Sequence, residues 1–260
     1  MQPDVITGRC ALVTGGGSGI GARIAEHLAA AGARVALVGR TQAKLDSVTA
    51  AIAGRGGESA GFAADVRDYD ALSAAIGAAC ARFGPLGVVV CAAAGNFPAP
   101  AARMSANAFR SVVDIDLLGT FNTCRAAYEH LIRPGASVVT ISAPQAVHPM
   151  PLQAHVCAAK AGVDMLTRTL AIEWGAEGIR VNGVMPGAVD ETEGMARLAP
   201  TQSDRDRLAR RIPLGRLGSR DEIAETVLFL CGAPARYITG AIIPCDGGLS
   251  AAGVSFVPGG

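Results

Sequence analysis

The fold of this chain is decided by residues 9–21, which read RCALVTGGGSGIG. An apolar run at residues 9–14 leads directly into a glycine-rich turn, and a helical stretch follows from residue 19. Gly15 permits a tight turn, Gly19 lets the backbone approach a pyrophosphate, and Gly21 lets helix and strand pack closely. The strand–turn–helix order therefore predicts a dinucleotide site. Its candidate contacts are Gly15, Gly17, Ser18, Gly19, Ile20 and Gly21.

Short apolar runs alternate with alanine-rich helical stretches along the rest of the chain. The runs predict strands at residues 9–14, 34–39, 59–64, 86–91, 136–142 and 180–185. The intervening stretches predict helices near residues 19–31, 42–53, 69–83, 105–132 and 153–175. This alternation is typical of an α/β fold, a Rossmann-type doubly wound parallel sheet with helices on both faces. We interpret residues 1–260 as a single domain, because no linker or repeat interrupts the pattern.

The composition excludes several classes of function. Half of the 260 residues are apolar and the net charge is +1, so nothing favours nucleic acid or an anionic membrane as a partner. The seven cysteines are scattered without metal-ligand spacing, so we predict no metal site and a reducing compartment. The start MQPDVITG, the tail VPGG at residues 257–260 and the lack of a membrane-length apolar run favour a cytoplasmic location.

A charged segment at residues 190–211 lacks a strong apolar period. It follows the last predicted strand, where a mobile lid over a ligand would lie. We predict a substrate lid there, and an exposed helical hairpin without a role is the alternative.

The end of the second predicted strand bears on the choice between NADP and NAD. NAD sites usually place a carboxylate there to bind the ribose 2′-hydroxyl, but this chain has Gly39 followed by Arg40. An arginine can pair with a 2′-phosphate through charge-assisted hydrogen bonds. We therefore predict NADP(H), and the alternative is NAD binding with Arg40 as a solvated residue.

Several motifs together resemble the short-chain dehydrogenase/reductase family. They are the TGxxxGxG spacing from Thr14, the stretch Asn182-Gly183-Val184-Met185-Pro186-Gly187, and Asp246-Gly247-Gly248. The resemblance covers nearly the whole chain. It implies further cofactor contacts at Asp65, Val66, Ala93, Gly95, Lys160, Pro186 and Gly187. It also implies a homotetramer, in which the two long helices containing Asp116 and Lys160 pair between subunits.

The catalytic set of that family is largely replaced in this chain. The family uses Asn, Ser, Tyr and Lys, and the matching positions here are Asp116, Ala143, Val156 and Lys160. The tyrosine normally gives or takes the proton of a carbonyl or alcohol oxygen. His155 and Cys157 flank the vacant position, but on a helix each points about 100° away from it. For His148 and His27 we predict structural roles.

A narrower resemblance accounts for these losses. Asn96-Phe97, the stretch Val113-Asp114-Ile115-Asp116 with Gly119-Thr120-Phe121-Asn122, Gln153 with His155, and Glu191-Thr192-Glu193-Gly194 are similar to 2,4-dienoyl-CoA reductases, the peroxisomal type most. That type also lacks the tyrosine. The resemblance implies that Lys160 and Asp164 activate a water that supplies the proton. We assign Asn96, Phe97, Asn122 and His155 to substrate binding.

The chemistry of a conjugated thioester agrees with these residues. Hydride adds at the remote carbon and the α-carbon is then protonated, so no phenol is needed at the carbonyl oxygen. Lys160 and Asp164 share a helix face, and the family resemblance implies that Asp116 approaches from a second helix. Repulsion between the two carboxylates would raise at least one pKa. We predict catalytic roles for Lys160, Asp164 and Asp116 in an NADPH-dependent reductase of a 2,4-dienoyl-CoA or related acyl-CoA.

Three alternatives stay open at the level of sequence. Lys160 could bind only the nicotinamide ribose, with Asp164 in an ordinary helix ion pair. The chain could be a carbonyl reductase or alcohol dehydrogenase that uses His155 or Cys157 as its acid. It could also be a non-catalytic NADP-binding subunit.

Overall fold

A parallel sheet of seven strands runs through the centre of the protein, which a computed structural model describes from residue 6 to residue 252. The strand order is β3-β2-β1-β4-β5-β6-β7. The strands are β1 (Cys10–Thr14), β2 (Arg34–Gly39), β3 (Glu58–Ala63), β4 (Leu86–Cys91), β5 (Ser137–Ile141), β6 (Arg180–Pro186) and β7 (Ile242–Cys245). The predicted Rossmann-type sheet is therefore confirmed. The tail at residues 257–260, used above to predict location, lies outside the described residues.

Nine α-helices are present within the described part of the chain. They are α1 (Gly19–Ala30), α2 (Gln42–Ala53), α3 (Tyr69–Phe83), α4 (Ala106–Val113), α5 (Gly119–Tyr128), α6 (Ala154–Trp174), α7 (Glu193–Leu198), α8 (Gln202–Ala209) and α9 (Arg220–Cys231). Between residues 6 and 252, no helix combines the length and the apolar character that a membrane crossing requires.

Helices cover both faces of the sheet. Ala11 and Val13 of β1 belong to a buried cluster with α1 and α9, whereas Cys10 and Leu12 belong to a second cluster with α3, α5 and α6. Successive residues of a strand point to opposite faces. A strand covered on both sides therefore needs apolar residues throughout, which explains the unbroken apolar runs in the sequence.

The predicted helix at residues 105–132 is confirmed over residues 106–128, but it is not a regular α-helix throughout. Its middle, Asp114–Leu118, is a π-helical turn between α4 and α5, and the helix ends at Tyr128. Single π-turns inside helices are rare and frequently occur at functional sites. This one contains Asp116, so the wide turn places a predicted catalytic residue.

Two late elements were not predicted. β7 has only four residues and contains Pro244, which an edge strand tolerates because proline cannot donate to a sheet ladder. α9 does carry a sequence signal, since Ser219 and Glu222 form a reciprocal capping box at its start.

The predicted lid contains two short helices, α7 and α8. Thr192, Met195 and Leu198 line the large cavity described below. Arg197 Nη1 donates a 2.8 Å hydrogen bond to the carbonyl oxygen of Asn96. The part of the segment around α7 therefore borders the cavity, whereas no residue of α8 lines it.

Candidate functional site

The candidate site is a cavity of about 440 Å³ at the carboxyl ends of the central strands. Its walls are formed by the loops that follow β1, β2, β3, β4, β5 and β6, and by the segment around α7. Open parallel sheets bind their ligands in this crevice. Every predicted cofactor residue lines the cavity except Gly19.

The glycine turn after β1 is packed too closely for a side chain at two of its glycines, Gly15 and Gly21. Gly15 has φ +69°, and a Cβ there would lie 2.7 Å from the carbonyl oxygen of Ala92. A Cβ at Gly21 would overlap the carbonyl oxygen of Gly15. The turn therefore joins β1, the start of α1 and the loop after β4 through backbone contacts. Such a surface admits a pyrophosphate next to the helix N-terminus.

Positively charged side chains lie on the cavity wall formed by the residues that follow β2. Arg40 is exposed on the cavity wall directly after β2, and Lys44 lines the same wall from the first turn of α2. Asp65 lies there too, but its carboxylate is held by Arg67 at 2.6 Å. The hydrogen bonds from Arg67 lower the pKa of Asp65. Sequence analysis missed Lys44, although its position four residues after Arg40 on a helix start was a usable signal.

Gly187 lies at the end of the cavity where the family resemblance places the nicotinamide. A Cβ at this position would lie 2.6 Å from the Cα of Asp246, and the Gly187 N–H donates to Cys245 at 3.0 Å. The stretches around Pro186 and Asp246, noted separately in the sequence, therefore meet at the ends of β6 and β7.

Lys160 and Asp116 form a buried ion pair at the centre of the cavity. Lys160 Nζ lies 3.3 Å from Asp116 Oδ2, and both side chains are at most 7% exposed. Asp116 Oδ1 accepts a 2.7 Å hydrogen bond from the Gly95 N–H, and Lys160 donates to the Ile141 carbonyl at 2.8 Å. Within the described residues, Asp116 Oδ2 has no hydrogen-bond partner, so the contact with Lys160 is electrostatic. The predicted approach of Asp116 from another helix is thus what the structure has.

Asp164 lies outside this ion pair. Its Oδ1 accepts a very short hydrogen bond from the Ser142 hydroxyl, and its Oδ2 has no partner within the described residues. Burial raises the pKa of Asp164. The predicted direction of the shift is right, but its main cause is loss of solvent, not repulsion from Asp116. Asp164 is not among the residues that line the cavity, whereas Ser142 is.

The position of the missing phenol is filled by an apolar side chain. Val156 lines the cavity, is 3% exposed, and packs in a small cluster with Val112, Ala159 and Phe97. Ala143 lines the cavity nearby. The family's tyrosine and serine would face a substrate oxygen. At their two positions this site therefore has neither a tyrosine nor a serine.

The predicted substrate residues divide into two groups. Asn96 lines the cavity, and its buried Oδ1 has no partner within residues 6–252. Phe97 instead packs against the fully buried ring of His155, with ring centroids 4.5 Å apart. Asn122 is buried and donates to the Val66 carbonyl at 2.9 Å. The structure does not bring Phe97, His155 or Asn122 to the cavity wall.

The remaining histidines and Cys157 also lie outside the cavity lining. His27 is 2.6 Å from Asp221 between α1 and α9, and His148 contacts the carbonyl oxygen of Ser250 at 3.1 Å. Cys157 is half-buried on α6. Neither ring nitrogen of His155 has a partner within the described chain. Nothing in this geometry places His155 or Cys157 where the tyrosine would be.

Sequence analysis missed Ser142 and Gln145 on the cavity wall. Gln145 donates a 2.6 Å hydrogen bond to the buried Gln153 side chain. No sequence period marks these two residues, because they lie in the short connection after β5, Gln145 within a single 3-10 turn at Pro144–Ala146. The serine at Ser142 was visible, but it stands one residue before the family's serine position.

The chain is similar to known reductases along most of its length. The family model described as enoyl-(acyl carrier protein) reductase matches residues 15–250. The peroxisomal 2,4-dienoyl-CoA reductase ((3E)-enoyl-CoA-producing) of Rattus norvegicus is 41% identical over 248 residues, covering 95% of this chain and 85% of the relative. The protein of the same description from Arabidopsis thaliana is 40% identical over 259 residues, covering 96% and 87%.

A solved structure shows the same fold with a cofactor bound. It is a gluconate 5-dehydrogenase from Burkholderia cenocepacia J2315 in complex with NADP and tartrate, with a TM-score of 0.90 and 31% identity. The match covers 96% of this chain and 99% of that chain.

Proposed function

This chain belongs to the short-chain dehydrogenase/reductase family and is an oxidoreductase, and we propose that it reduces 2,4-dienoyl-CoA or a related enoyl thioester with NADPH. The relatives at about 40% identity support an enoyl-CoA reductase. The family implies a nicotinamide cofactor. The choice of NADPH, the substrate and the mechanism are our proposal.

The residues of the cavity fit a nicotinamide dinucleotide. The absence of a Cβ at Gly15 and Gly21 lets the turn pack tightly against backbone, and this turn leads into the start of α1 beside the cavity. Arg40 and Lys44 would hold a 2′-phosphate, which supports NADPH over NADH. Lys160 and the Pro186–Gly187 turn would hold the nicotinamide end. When bound, the reduced nicotinamide supplies a hydride.

One observation carries the proposed reaction: Val156 occupies the phenol position while Lys160 is retained, buried and charge-paired beside it. A ketone reductase must protonate an oxygen and needs an acid at that place. A dienoyl thioester needs a proton at its α-carbon instead. Its oxygen needs only electrostatic support while charge develops, and the Lys160 ammonium and Asn96 amide are suited to give it.

In this proposal the proton reaches the α-carbon through a water held in the cavity, and Asp164 is its source. Asp116 positions Lys160 and, by accepting from the Gly95 N–H, also fixes the loop that leads to Asn96. General acid catalysis of this kind contributes about 10²- to 10⁴-fold in rate.

The decisive experiment is NADPH oxidation by the purified protein with 2,4-dienoyl-CoA substrates of several chain lengths, followed by identification of the product. We expect turnover with dienoyl-CoA and little with ketones or secondary alcohols. Tight NADPH binding without turnover of any dienoyl-CoA would contradict the proposal and favour a non-catalytic subunit. Preferred turnover of ketones would favour a carbonyl reductase.

We also propose that the protein is a homotetramer. Large apolar side chains are exposed on the two helices expected to pair, including Phe121 on α5 and Met165 and Ile172 on α6, with Ile172 82% exposed. A monomer rarely leaves such side chains in water along one surface. Light scattering on the eluted protein would measure the mass, and a monomer at micromolar concentration would contradict the proposal.

A further inference from the structure

The carboxylate of Asp164 stands behind the cavity wall. Val156 and Lys160 of α6 line the cavity, but Asp164, one turn further along, does not. Four residues of an α-helix rise about 6 Å, and Asp164 is only 2% exposed. The carboxylate of Asp164 is therefore not part of the cavity wall, and it lies one helical turn beyond the residues of α6 that are.

Ser142 connects the two sides of that wall. It follows β5 directly, and its N–H donates to the Val184 carbonyl at 2.8 Å, which fixes its backbone. Ser142 lines the cavity and its hydroxyl donates to Asp164 Oδ1. One residue thus both lines the cavity and bonds the buried acid.

The charges of Lys160 and Arg168 act on Asp164 from a distance, and neither side chain is bonded to it. Lys160 contacts Asp116 and the Ile141 carbonyl, not Asp164. Burial raises the pKa of Asp164 and so favours a carboxyl group that carries a proton. Asp164 is therefore suited to supply a proton, and Ser142 is placed to pass it on.

We propose that Ser142 relays the proton from Asp164 to the cavity water that protonates the α-carbon, an inference that rests on the proposed function. The electron pair of the dienolate forms the new C–H bond with a proton of that water as the thioester carbonyl returns. When Asp164 carries the proton on Oδ1, the hydrogen bond with Ser142 is reversed, so that the carboxyl donates to Ser142 Oγ and the hydroxyl donates to the water. The hydroxide left by the transfer takes the hydroxyl proton of Ser142, and the O–H bond of the Asp164 carboxyl breaks to restore the hydroxyl. After product leaves, solvent returns one proton to Asp164 through the same hydroxyl.

The first test compares Ser142→Ala with Ser142→Thr, which keeps a hydroxyl. Thr140→Val is a matched control, because the Thr140 and Thr167 hydroxyls form a 2.7 Å bond between the same strand and helix, deeper in the core. We expect Ser142→Ala to lower kcat about 100-fold, with unchanged NADPH affinity and a larger solvent isotope effect. Ser142→Thr should restore kcat to within about threefold, and Thr140→Val should keep both the wild-type kcat and the wild-type isotope effect.

A double variant tests whether the two groups act as one unit. The kcat of the double variant Ser142→Ala/Asp164→Asn should be no lower than that of the slower single variant, because the losses caused by removing members of one relay are not additive. Fully multiplicative losses, or a Ser142→Ala enzyme with normal kcat, would overturn the relay.

The second test does not depend on turnover. Infrared spectroscopy with Asp164→Asn as the reference identifies the band of the protonated Asp164 carboxyl, and its exchange is followed after transfer to D₂O. We expect exchange to slow at least about tenfold in Ser142→Ala and to be unchanged in Thr140→Val. Equal exchange rates, or no protonated band at any pH where the protein is folded, would overturn the relay.

The two tests separate the relay from the proposed function. Wild-type protein without dienoyl-CoA turnover, but with exchange that depends on Ser142, would refute the proposed substrate and support the proton path. Normal turnover of dienoyl-CoA with exchange independent of Ser142 would support the proposed substrate and refute the proton path.

Discussion

The nucleotide turn and the protonation site are built in opposite ways. The nucleotide turn, residues 15–21, is one continuous stretch in which backbone contacts exclude a side chain at Gly15 and Gly21. The protonation site collects Gly95, Asp116, Ser142, Lys160 and Asp164 from separate loops, a π-turn and a helix. The first depends on shape and the second on charge. Substitutions in the two regions should therefore fail differently, one in cofactor binding and the other in turnover.

Gly21→Ala should have the largest effect on this comparison. The new Cβ would overlap the Gly15 carbonyl oxygen, and both atoms are fixed by backbone, so α1 must move away from β1. We expect NADPH affinity to fall by more than about 100-fold and the free energy of unfolding to fall by about 1–3 kcal/mol. Fluorescence titration and urea denaturation measure the two quantities.

Gly77→Ala is the control for this prediction. Gly77 lies inside α3, and a Cβ there meets nothing within 4 Å. Alanine should stabilise the helix by about 0.4–1 kcal/mol and leave NADPH affinity unchanged. Equal NADPH affinities for the two variants would show that close packing at Gly21 is not required.

Asp116→Asn should show the opposite pattern. The amide oxygen can still accept from the Gly95 N–H, but the charge that faces Lys160 is lost. We expect kcat on dienoyl-CoA to fall about 100-fold, with NADPH affinity changed by less than about threefold. Steady-state kinetics with NADPH titration checks both.

Asp114→Asn, in the same π-turn but away from the cavity lining, is the matched control and should be nearly neutral. An Asp116→Asn protein with lowered NADPH affinity and unchanged kcat would contradict the assignment of cofactor binding to one region and turnover to the other.

The same division explains what the sequence predicts well. The strand–turn–helix of residues 9–21 and six of the seven strands follow from local apolar runs and glycines, because their cause is contiguous in the chain. The approach of Asp116 to Lys160 needed the family resemblance, since nothing local in either segment fixes the distance between them.

The contacts of Asp164 and His155 show where sequence reasoning ends. Helical spacing correctly places Lys160 and Asp164 on neighbouring turns, but it cannot show that Asp164 bonds Ser142 and not Lys160. That choice depends on the position of β5, which packs against α6 in three dimensions. His155 likewise turns toward Phe97 because the loop after Gly95 folds back onto α6.

Arg40→Ala tests the charge at the outer end of the nucleotide region. Arg40 is exposed on the cavity wall at the end of β2, where a 2′-phosphate would lie. Loss of one charge-assisted contact of about 1.5–3 kcal/mol should raise the KM for NADPH about 10- to 100-fold. The KM for NADH in the same variant is the internal control and should change less than about threefold. Equal losses for both cofactors would exclude a 2′-phosphate contact.

Asp164→Asn gives a smaller, pH-dependent effect on stability in the protonation site. The folded pKa of Asp164 is raised by burial, while Ser142, Arg168 and Lys160 act in the opposite direction. The stabilising contribution of this group is full below about pH 4, the unfolded pKa, and is lost as pH rises through the folded pKa.

Wild type should therefore lose stability relative to Asp164→Asn as pH rises from about 4, and the difference should level off above the folded pKa. A tenfold difference in proton affinity between the folded and unfolded protein corresponds to about 1.4 kcal/mol. Urea denaturation of both proteins between acidic and neutral pH measures the difference. A parallel pH dependence for the two proteins would mean that Asp164 titrates normally in the folded state.

Gly19→Ala should have the smallest effect. It separates two reasons for glycine in one turn, left-handed backbone conformation and close packing. Gly19 has φ +56°, but a Cβ there meets no protein atom within 4 Å. The cost in the unbound protein is thus only that of a left-handed backbone, about 1 kcal/mol, measured by urea denaturation. We expect NADPH affinity to fall less than in Gly21→Ala, because the added methyl group meets the cofactor at most and not the backbone of β1. A stability loss as large as that of Gly21→Ala would show that conformation, and not close packing, sets the requirement for glycine throughout the turn.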